Sequence, residues 1–195
     1  SSSNSSLEDI KSILNKAPYI LRFFESIDIE TLKIKDNTFK IKFDNNYIYL
    51  DNKFLNLASK YSKVGDVMNL NIYSLYLKDI DFLLLGNIKI DYDNELLGFT
   101  GKYIYKNLVN GELSLSSDKD ELSFYINSNE MKDIKFLKTY INLDKIAESW
   151  MYDNVKGKYF LEHLNGKIDL ETMKPILKSI KGSARVEEAS VKFNN

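Results

Sequence analysis

A strict alternation of apolar and polar residues between Phe82 and Asn127 is the feature that most constrains what this chain can fold into. Four alternating runs follow one another there, separated by Asp, Asn, Ser and Lys residues typical of turns. Residues two apart along a strand lie on the same face of a sheet, so each run predicts a strand with one apolar and one polar face. Strands joined by short polar turns predict an antiparallel meander.

The alternation assigns a set of apolar and aromatic residues to a single face of this meander. They are Leu84, Ile88, Ile90, Leu97, Phe99, Tyr103, Tyr105, Leu113, Leu115, Leu122, Phe124 and Ile126. A face of this composition has to be covered by a second protein layer or by a ligand. Two alternatives stay open: a closed core under helices and N-terminal strands, or an open trough that holds an apolar molecule.

The phase of the apolar residues slips at three places outside the central runs. The slips fall near Glu30 and Thr31, at Ser74, and at Glu187 and Glu188. An extra residue in one strand of a pair shifts the phase in this way and bends the strand. We therefore predict a mainly β fold with flanking helices. Its sheet is a curved antiparallel meander with an apolar concave face, capped by short helices.

Helical spacing replaces the alternation in two segments, which sets the predicted domain organisation. Residues 1–6 predict a linker or expression remnant, and residues 7–25 a helical flank. The β meander occupies 27–127. A helical insert at 129–153 begins at a cap formed by Ser128 or Asn129 and carries Trp150 as a core anchor. A second β region spans 158–195. We interpret residues 7–195 as one β-rich domain, a fragment of a longer protein.

The amino-acid composition excludes several kinds of catalytic and binding site. The chain has no Cys and one His, His163, so thiol catalysis, disulfides and zinc sites built on Cys or several His are excluded, and we predict no cofactor. The formal net charge of -1, from 27 basic and 28 acidic residues, provides no basic field for nucleic acid. No apolar run approaches the length of about 18 residues that a membrane-spanning helix needs.

Paired acidic residues raise the alternative of a carbohydrate-active enzyme, because two carboxylates that flank a glycosidic bond catalyse its hydrolysis. The pairs are Asp91 with Asp93, Asp118 with Asp120, and Glu187 with Glu188. The first two pairs flank predicted turns, where Asp is favoured for hydrogen bonds to the backbone. None of the pairs sits in a complete calcium-binding loop. We therefore predict that the chain is not an enzyme.

Three stretches of the C-terminal third carry a family resemblance. Residues 146–155 combine a Trp-bearing helix with the start of a β run, residues 164–170 continue that run, and residues 180–193 place an alternating strand after a small Gly turn. These stretches resemble the AsmA-like superfamily of bacterial envelope proteins, in particular its YhdP-like branch. The resemblance implies a periplasmic sheet with an apolar groove for lipids, anchored in the inner membrane, and no catalytic residues.

We therefore expect a non-enzymatic segment of an envelope protein that binds or transports phospholipid between the inner and outer membranes, or maintains the outer membrane. Its expected partners are lipid acyl chains and the rest of the same polypeptide. The apolar residues named above are the candidates for lining the groove. The alternative is a scaffold module that recruits a protein through an exposed strand edge.

Overall fold

One open antiparallel sheet of twelve strands contains every strand of the computed structural model, which describes residues 26–34, 37–91, 93–139 and 144–191. The strands are β1 Ser26–Ile34, β2 Asn37–Asp44, β3 Tyr47–Asp51, β4 Leu55–Val64, β5 Val67–Leu77, β6 Phe82–Asp91, β7 Leu96–Tyr105, β8 Val109–Ser117, β9 Glu121–Ile126, β10 Val155–Asp169, β11 Lys174–Pro175 and β12 Lys181–Val191. Strands β1 to β11 follow one another in chain order. The predicted mainly β meander is confirmed.

Within the described sheet, strand β10 is the one strand with three neighbours, β9, β11 and β12. Leu164 of β10 pairs with Ile126 of β9 and also with Gly182 of β12, so β9 and β12 lie on opposite sides of β10. Strand β11 pairs with β10 only at Ile168 and Asp169. The described part of the sheet therefore has β1 at one end and the short β11 with β12 at the other.

Polar turns connect the strands as the sequence predicts. Asn45 and Asn46 both adopt left-handed backbone conformations, with φ of 47° and 69°, in the turn between β2 and β3. Asn tolerates this region better than most residues, and two such residues in succession suit the twist of a hairpin. The Asp118 carboxylate accepts hydrogen bonds from the backbone N–H groups of Asp120 and Glu121 in the turn before β9.

All three predicted bulges are present. Register shifts fall between Ile29 and Leu32 in β1, and between Ile72 and Leu75 in β5. The third lies in β12, where Glu188 has a φ of 52°. A fourth shift, between Leu161 and His163 of β10, was not predicted. Adjacent Phe160 and Leu161 are both apolar, and Phe160 and Leu164 fit an uninterrupted alternation, so the sequence shows no change of phase there.

Cross-strand pairing places the predicted apolar residues on a common face. Leu84 lies opposite Tyr103, and Leu115 lies opposite both Phe99 and Phe124. The chain of pairs continues through β5 and β4 to Ile48 of β3, and from there to β1. We call this side the apolar face. We call the opposite side, which carries Lys102, Glu112 and their neighbours, the polar face.

The predicted helical insert at 129–153 is wrong in its first half. Met131 forms an isolated antiparallel bridge with Tyr159, and only a 3₁₀ turn, Lys135–Thr139, follows it. Ser128 and Asn129 cap no helix, because their side chains bond to neighbouring strands instead. The unpaired backbone groups of those strands make an extended chain more favourable here than a helix.

The second half of the insert is helical, as predicted, but it does not bury the aromatic residue that the sequence predicts. Helix α1, Lys145–Ser149, is capped by Asp144, whose carboxylate accepts from the N–H groups of Ile146 and Ala147. A π-helical turn, Trp150–Asn154, leads into β10. Trp150 is 45% exposed, so the predicted core anchor is wrong, and Tyr152 is the buried aromatic residue of this turn. The predicted linker 1–6 and helical flank 7–25 lie outside the described residues.

The best-packed region of the apolar face lies over β6 to β9. Tyr103, Tyr105 and Val109 form its buried centre. Partly buried apolar side chains pack against them from the sheet and from the segment after β9: Phe82, Leu84, Leu113, Ile126, Met131 and Phe136. The Tyr105 and Phe136 rings lie 5.5 Å apart between centroids. Residues 131–136 therefore act as a partial cover for this end of the apolar face.

Candidate functional site

An irregular extended stretch, residues 127–132, lies between β8 and β10 where β9 ends. Its backbone N–H groups bond to both neighbouring strands instead of forming a regular ladder. The bonds run from Asn129 N to Asn110 O (2.8 Å), Lys132 N to Leu108 O (2.9 Å), Ser128 N to Leu161 O (2.8 Å) and Met131 N to Tyr159 O (2.8 Å). The irregular stretch thus continues β9 and fills the gap in the sheet.

Side chains complete the hydrogen bonds that this irregular geometry leaves open. The Leu161 N–H, at the bulge in β10, donates to the Ser128 hydroxyl at 2.9 Å. The Asn127 side chain accepts from the Glu112 N–H at 2.8 Å and donates to the Glu112 carboxylate at 3.1 Å. Buried or half-buried backbone groups need such partners, and here Ser and Asn side chains supply them.

Close contact with β8 requires a glycine under the irregular stretch. A Cβ atom at Gly111 would lie 2.0 Å from the Asn127 carbonyl oxygen, much closer than two such atoms can approach. The Tyr103 hydroxyl donates to the same carbonyl at 2.9 Å. Gly111 and Tyr103 therefore fix the position of Asn127 from β8 and β7.

An apolar cavity of about 370 Å³ opens on the apolar face beside this stretch. Its lining comes from the sheet, from the irregular stretch and from the 3₁₀ turn: Ile80, Phe82, Tyr103, Tyr105, Val109, Ile126, Ser128, Met131, Phe136, Leu137, Leu161 and Leu164. Cavities of about 300–1,000 Å³ are usual for small-molecule sites. The volume is therefore sufficient for part of a small apolar ligand.

Among the described residues, none that lines the cavity has a charged side chain. The side-chain hydroxyls of the lining belong to Tyr103, Tyr105 and Ser128, and those of Tyr103 and Ser128 are engaged in the hydrogen bonds described above. Burial raises the pKa of Tyr103 to about 12, so this hydroxyl is neutral at physiological pH. A charged ligand group would enter without a partner, which is strongly unfavourable. The cavity is therefore suited to hydrocarbon.

The structure brings only some of the predicted groove residues together around the cavity. Tyr103, Tyr105 and Ile126 line it, and Leu84 and Leu113 pack against its walls. The others lie on the same face away from the cavity: Ile88, Ile90, Leu97, Phe99, Leu115, Leu122 and Phe124. Phe99, Tyr103 and Tyr105 are buried, Leu97 is 38% exposed, and the remaining candidates are half-buried.

Sequence reasoning missed the part of the lining that comes from outside the central meander. The sequence pattern predicts a helix for Met131, Phe136 and Leu137, and Leu161 lies at the bulge that the sequence does not predict. Phe82 and Val109, by contrast, continue the alternation of the central runs. That pattern identifies strand residues that share a face, but not the loop residues that close over them.

The acidic pairs have structural partners in the turns and at the sheet edge. Asn94 donates to both carboxylate oxygens of Asp91 through its backbone and side chain, which lowers the pKa of Asp91. Glu188 forms an ion pair with Lys158 at 2.5 Å, and Glu187 forms one with Arg185. Among residues 26–34, 37–91, 93–139 and 144–191, no group of three His, Cys, Asp or Glu side chains could hold a metal ion.

The described parts of the stretches that carry the family resemblance form a connected unit at the C-terminal end of the sheet. Helix α1 and the π-helical turn lead directly into β10, and β12 pairs with β10 from Val155 to Asn165. In the described part of the chain, no helix has the length and hydropathy needed to span a bilayer. No family model, curated protein or solved structure matches the chain.

Proposed function

We propose that this chain is a non-enzymatic segment of an AsmA-like bacterial envelope protein that binds phospholipid acyl chains on its apolar face. The observation that carries the proposal is the uncharged 370 Å³ cavity in a face that is mainly apolar from β1 to β10. The described residues contain no second sheet and no helix longer than 5 residues to cover that face.

The energetics of the proposal follow from burial of hydrocarbon. Each methylene group removed from water contributes about 0.8 kcal/mol, so a contact of about twelve carbons contributes about 10 kcal/mol before the cost of ordering the chain. This contribution has no directional component, so acyl chains of different structure would bind with similar affinity. The headgroup would stay in water, since the lining offers no charge to pair with it.

In this proposal the sheet lies in the periplasm, and the rest of the polypeptide anchors it to the inner membrane. Residues 146–155, 164–170 and 180–193 support this placement through their resemblance to the AsmA-like superfamily. A continuous apolar face would then let phospholipids move between the inner and outer membranes, or support maintenance of the outer membrane.

Two adjacent leucines provide a matched test. Leu97 pairs with Ile90 on the apolar face, whereas Leu96 pairs with Asp91 on the polar face. Their exposures are similar, 38% and 44%. We expect Leu97→Asp to reduce several-fold the phospholipid that co-purifies with the chain from bacterial membranes, and Leu96→Asp to leave it unchanged. Equal retention by the two variants, or no lipid on the wild-type chain, would refute the proposal.

A crosslinking experiment tests the same point without adding charge. Because the chain has no native Cys, Leu115→Cys and Ser114→Cys each provide a single attachment point for a benzophenone label. These neighbours on β8 lie on opposite faces. Irradiation with phospholipid vesicles should attach lipid to the Leu115→Cys protein and much less to the Ser114→Cys protein. The reverse preference would place the lipid on the wrong face.

The edge of β12 supports the alternative of a protein-interaction scaffold. Almost all residues of β12 are exposed, and within the described residues its only strand neighbour is β10. A free edge can accept a strand from a partner. Stoichiometric recovery of one protein, lost when Ala184 is replaced by Pro and accompanied by no lipid, would favour this function over lipid binding.

A further inference from the structure

A second cavity, of about 690 Å³, lies on the other side of the irregular stretch, where the polar face meets β12. Side chains of different character surround it: Lys102, Asn110, Glu112, Asn129, Phe160 and Arg185. It therefore differs from the apolar cavity in chemistry as well as in position. Nothing in the proposed binding of acyl chains uses it.

Several polar groups of this cavity are held in place by hydrogen bonds to each other. The Asn129 amide donates to the Asn110 side-chain oxygen at 2.6 Å. Asn127 is fixed by Glu112 through the two bonds described above. After these bonds, the Asn110 amide N–H groups, the Asn129 side-chain carbonyl and the Glu112 carboxylate retain capacity for a ligand. Donors and acceptors thus stand next to each other in fixed positions.

The charges around the cavity balance. Lys102 and Arg185 are cationic, and Glu112 and Glu162 are anionic. Glu162 accepts from the Ser183 hydroxyl at 2.6 Å and lies 3.3 Å from the Arg185 guanidinium. The Ser183 hydrogen bond and the neighbouring Arg185 charge lower the pKa of Glu162, so it is ionised at neutral pH. A phosphate or other anion finds no excess positive charge here, which favours a neutral ligand.

A flat surface completes the cavity. The Arg185 guanidinium lies over the Phe160 ring, 4.4 Å from its centroid, and the ion pairs with Glu162 and Glu187 hold it there. The C–H face of a sugar ring packs well on such planar groups, and the hydroxyls at its edge each donate and accept hydrogen bonds. Amide and carboxylate groups arranged in adjacent pairs match that pattern.

We propose that the cavity of the polar face binds a neutral sugar unit of a glycan. Asn110, Asn129 and Glu112 bond to its hydroxyls, and the Phe160–Arg185 pair supports its ring. The site is preorganised by its internal hydrogen bonds, which reduces the ordering cost of binding. Because it is open to solvent, we expect millimolar affinity for a single disaccharide.

Saturation-transfer NMR on the full 195-residue chain tests the proposal. The probes are neutral disaccharides of glucose and of N-acetylglucosamine, with inorganic phosphate and an unrelated tripeptide as competing chemistries. We expect transfer to at least one disaccharide. The double variant Asn110→Ala with Asn129→Ala should weaken that binding about tenfold, as expected for the loss of two hydrogen bonds. Both positions are exposed, so folding should be retained.

Asn71→Ala is the matched control, because Asn71 is an exposed Asn of β5 on the polar face outside the cavity. It should bind sugar as the wild type does. Three results would overturn the proposal: no disaccharide binds at millimolar concentration, phosphate or the peptide binds instead, or the double variant binds sugar as tightly as Asn71→Ala. Loss of acyl-chain binding has no bearing on these results, so the two proposals fail separately.

Discussion

The two faces of strands β7 and β8 share one backbone but have opposite chemistry. Phe99 and Tyr103 are buried on the apolar face, whereas Thr100 and Lys102, between them in sequence, are exposed on the polar face. Each face nevertheless has a cavity at the same place, beside the irregular stretch. Tyr103, Ser128 and Leu161 line both cavities. A single local departure from regular pairing therefore creates two concave sites, and the period of two gives each site its chemistry.

Of the substitutions that test how the two cavities share the irregular stretch, Gly111→Ala should have the largest effect, because the new Cβ would collide with the Asn127 carbonyl. The irregular stretch would have to move, which disturbs both cavities at once. We expect a loss of about 1–3 kcal/mol or more in the free energy of unfolding, measured by urea denaturation. Gly98→Ala is the control, because a Cβ atom at Gly98 would lie 3.8 Å from the Leu115 carbonyl oxygen, an ordinary van der Waals contact. Equal losses for the two variants would contradict the packing described here.

A smaller effect is expected from Tyr103→Phe, which keeps the ring but removes the hydroxyl. The Asn127 carbonyl loses a hydrogen bond of 2.9 Å, which should cost about 1 kcal/mol. Urea denaturation at neutral pH measures this change. The apolar cavity should still bind acyl chains, since its walls are intact. If stability is unchanged, the hydroxyl does not help to fix the irregular stretch.

Tyr103 should also contribute to the stability of the chain at alkaline pH. Burial raises its pKa in the folded chain to about 12 from an ordinary value of 10.0, so the folded state holds this proton more tightly. The contribution is fully present below pH 10 and is lost as pH rises towards 12. Thermal denaturation should therefore show a steeper decline over this window in the wild type than in Tyr103→Phe. Parallel curves would contradict the assignment.

Ser59 is the one buried polar residue among those described; it lies on the apolar face, and its replacement should increase stability. It is 1% exposed, and its hydroxyl has no hydrogen-bond partner among the described residues. Ser59→Ala should raise the free energy of unfolding by up to about 1 kcal/mol, because a buried unsatisfied polar group is removed. Ser114→Ala on the polar face should have little effect. A loss of stability in Ser59→Ala would show that the hydroxyl is satisfied in solution.

The smallest effect on stability is expected from Asp118→Asn, which changes a turn rather than either face of the sheet. The backbone N–H groups of Glu121 and Asp120 lower the pKa of Asp118 below its ordinary value of 3.8. The stability from these bonds is present above the unfolded pKa and is lost as pH falls through the folded pKa. Asp118→Asn should weaken this dependence slightly in acid denaturation monitored by circular dichroism. An unchanged acid transition would indicate that solvent screens these bonds completely.

Much of the sheet could be predicted because its physical cause is local. Alternation assigns Leu84, Phe99 and Leu115 to a common face, and the cross-strand register confirms that assignment. The phase slips at Ser74 and Glu188 identified real bulges. In each case, the feature depends only on the order of apolar and polar residues within one or two strands.

The irregular stretch could not be predicted, because its cause is not local. Met131, Ile134 and Leu137 have helical spacing, but hydrogen bonds to the neighbouring strands hold residues 128–132 extended, and a 3₁₀ turn that contains the bond from Leu137 N to Ile134 O follows. The cavity of the polar face could not be predicted for the same reason. It depends on Asn110, Asn129 and Arg185 meeting in space, and these residues are far apart in the sequence.

The chain-order arrangement of the sheet also has a consequence for how the molecule is made. From β1 to β9, each strand pairs with the strand that precedes it, so the sequence separation between contacting residues is short. Short separations favour rapid folding. A polypeptide that emerges from its N-terminus can add one hairpin at a time to a growing edge. Until β10 arrives from beyond the irregular stretch, the most recently added strand exposes an unpaired edge. Pairing of β10 with β9 ends that exposure for β9.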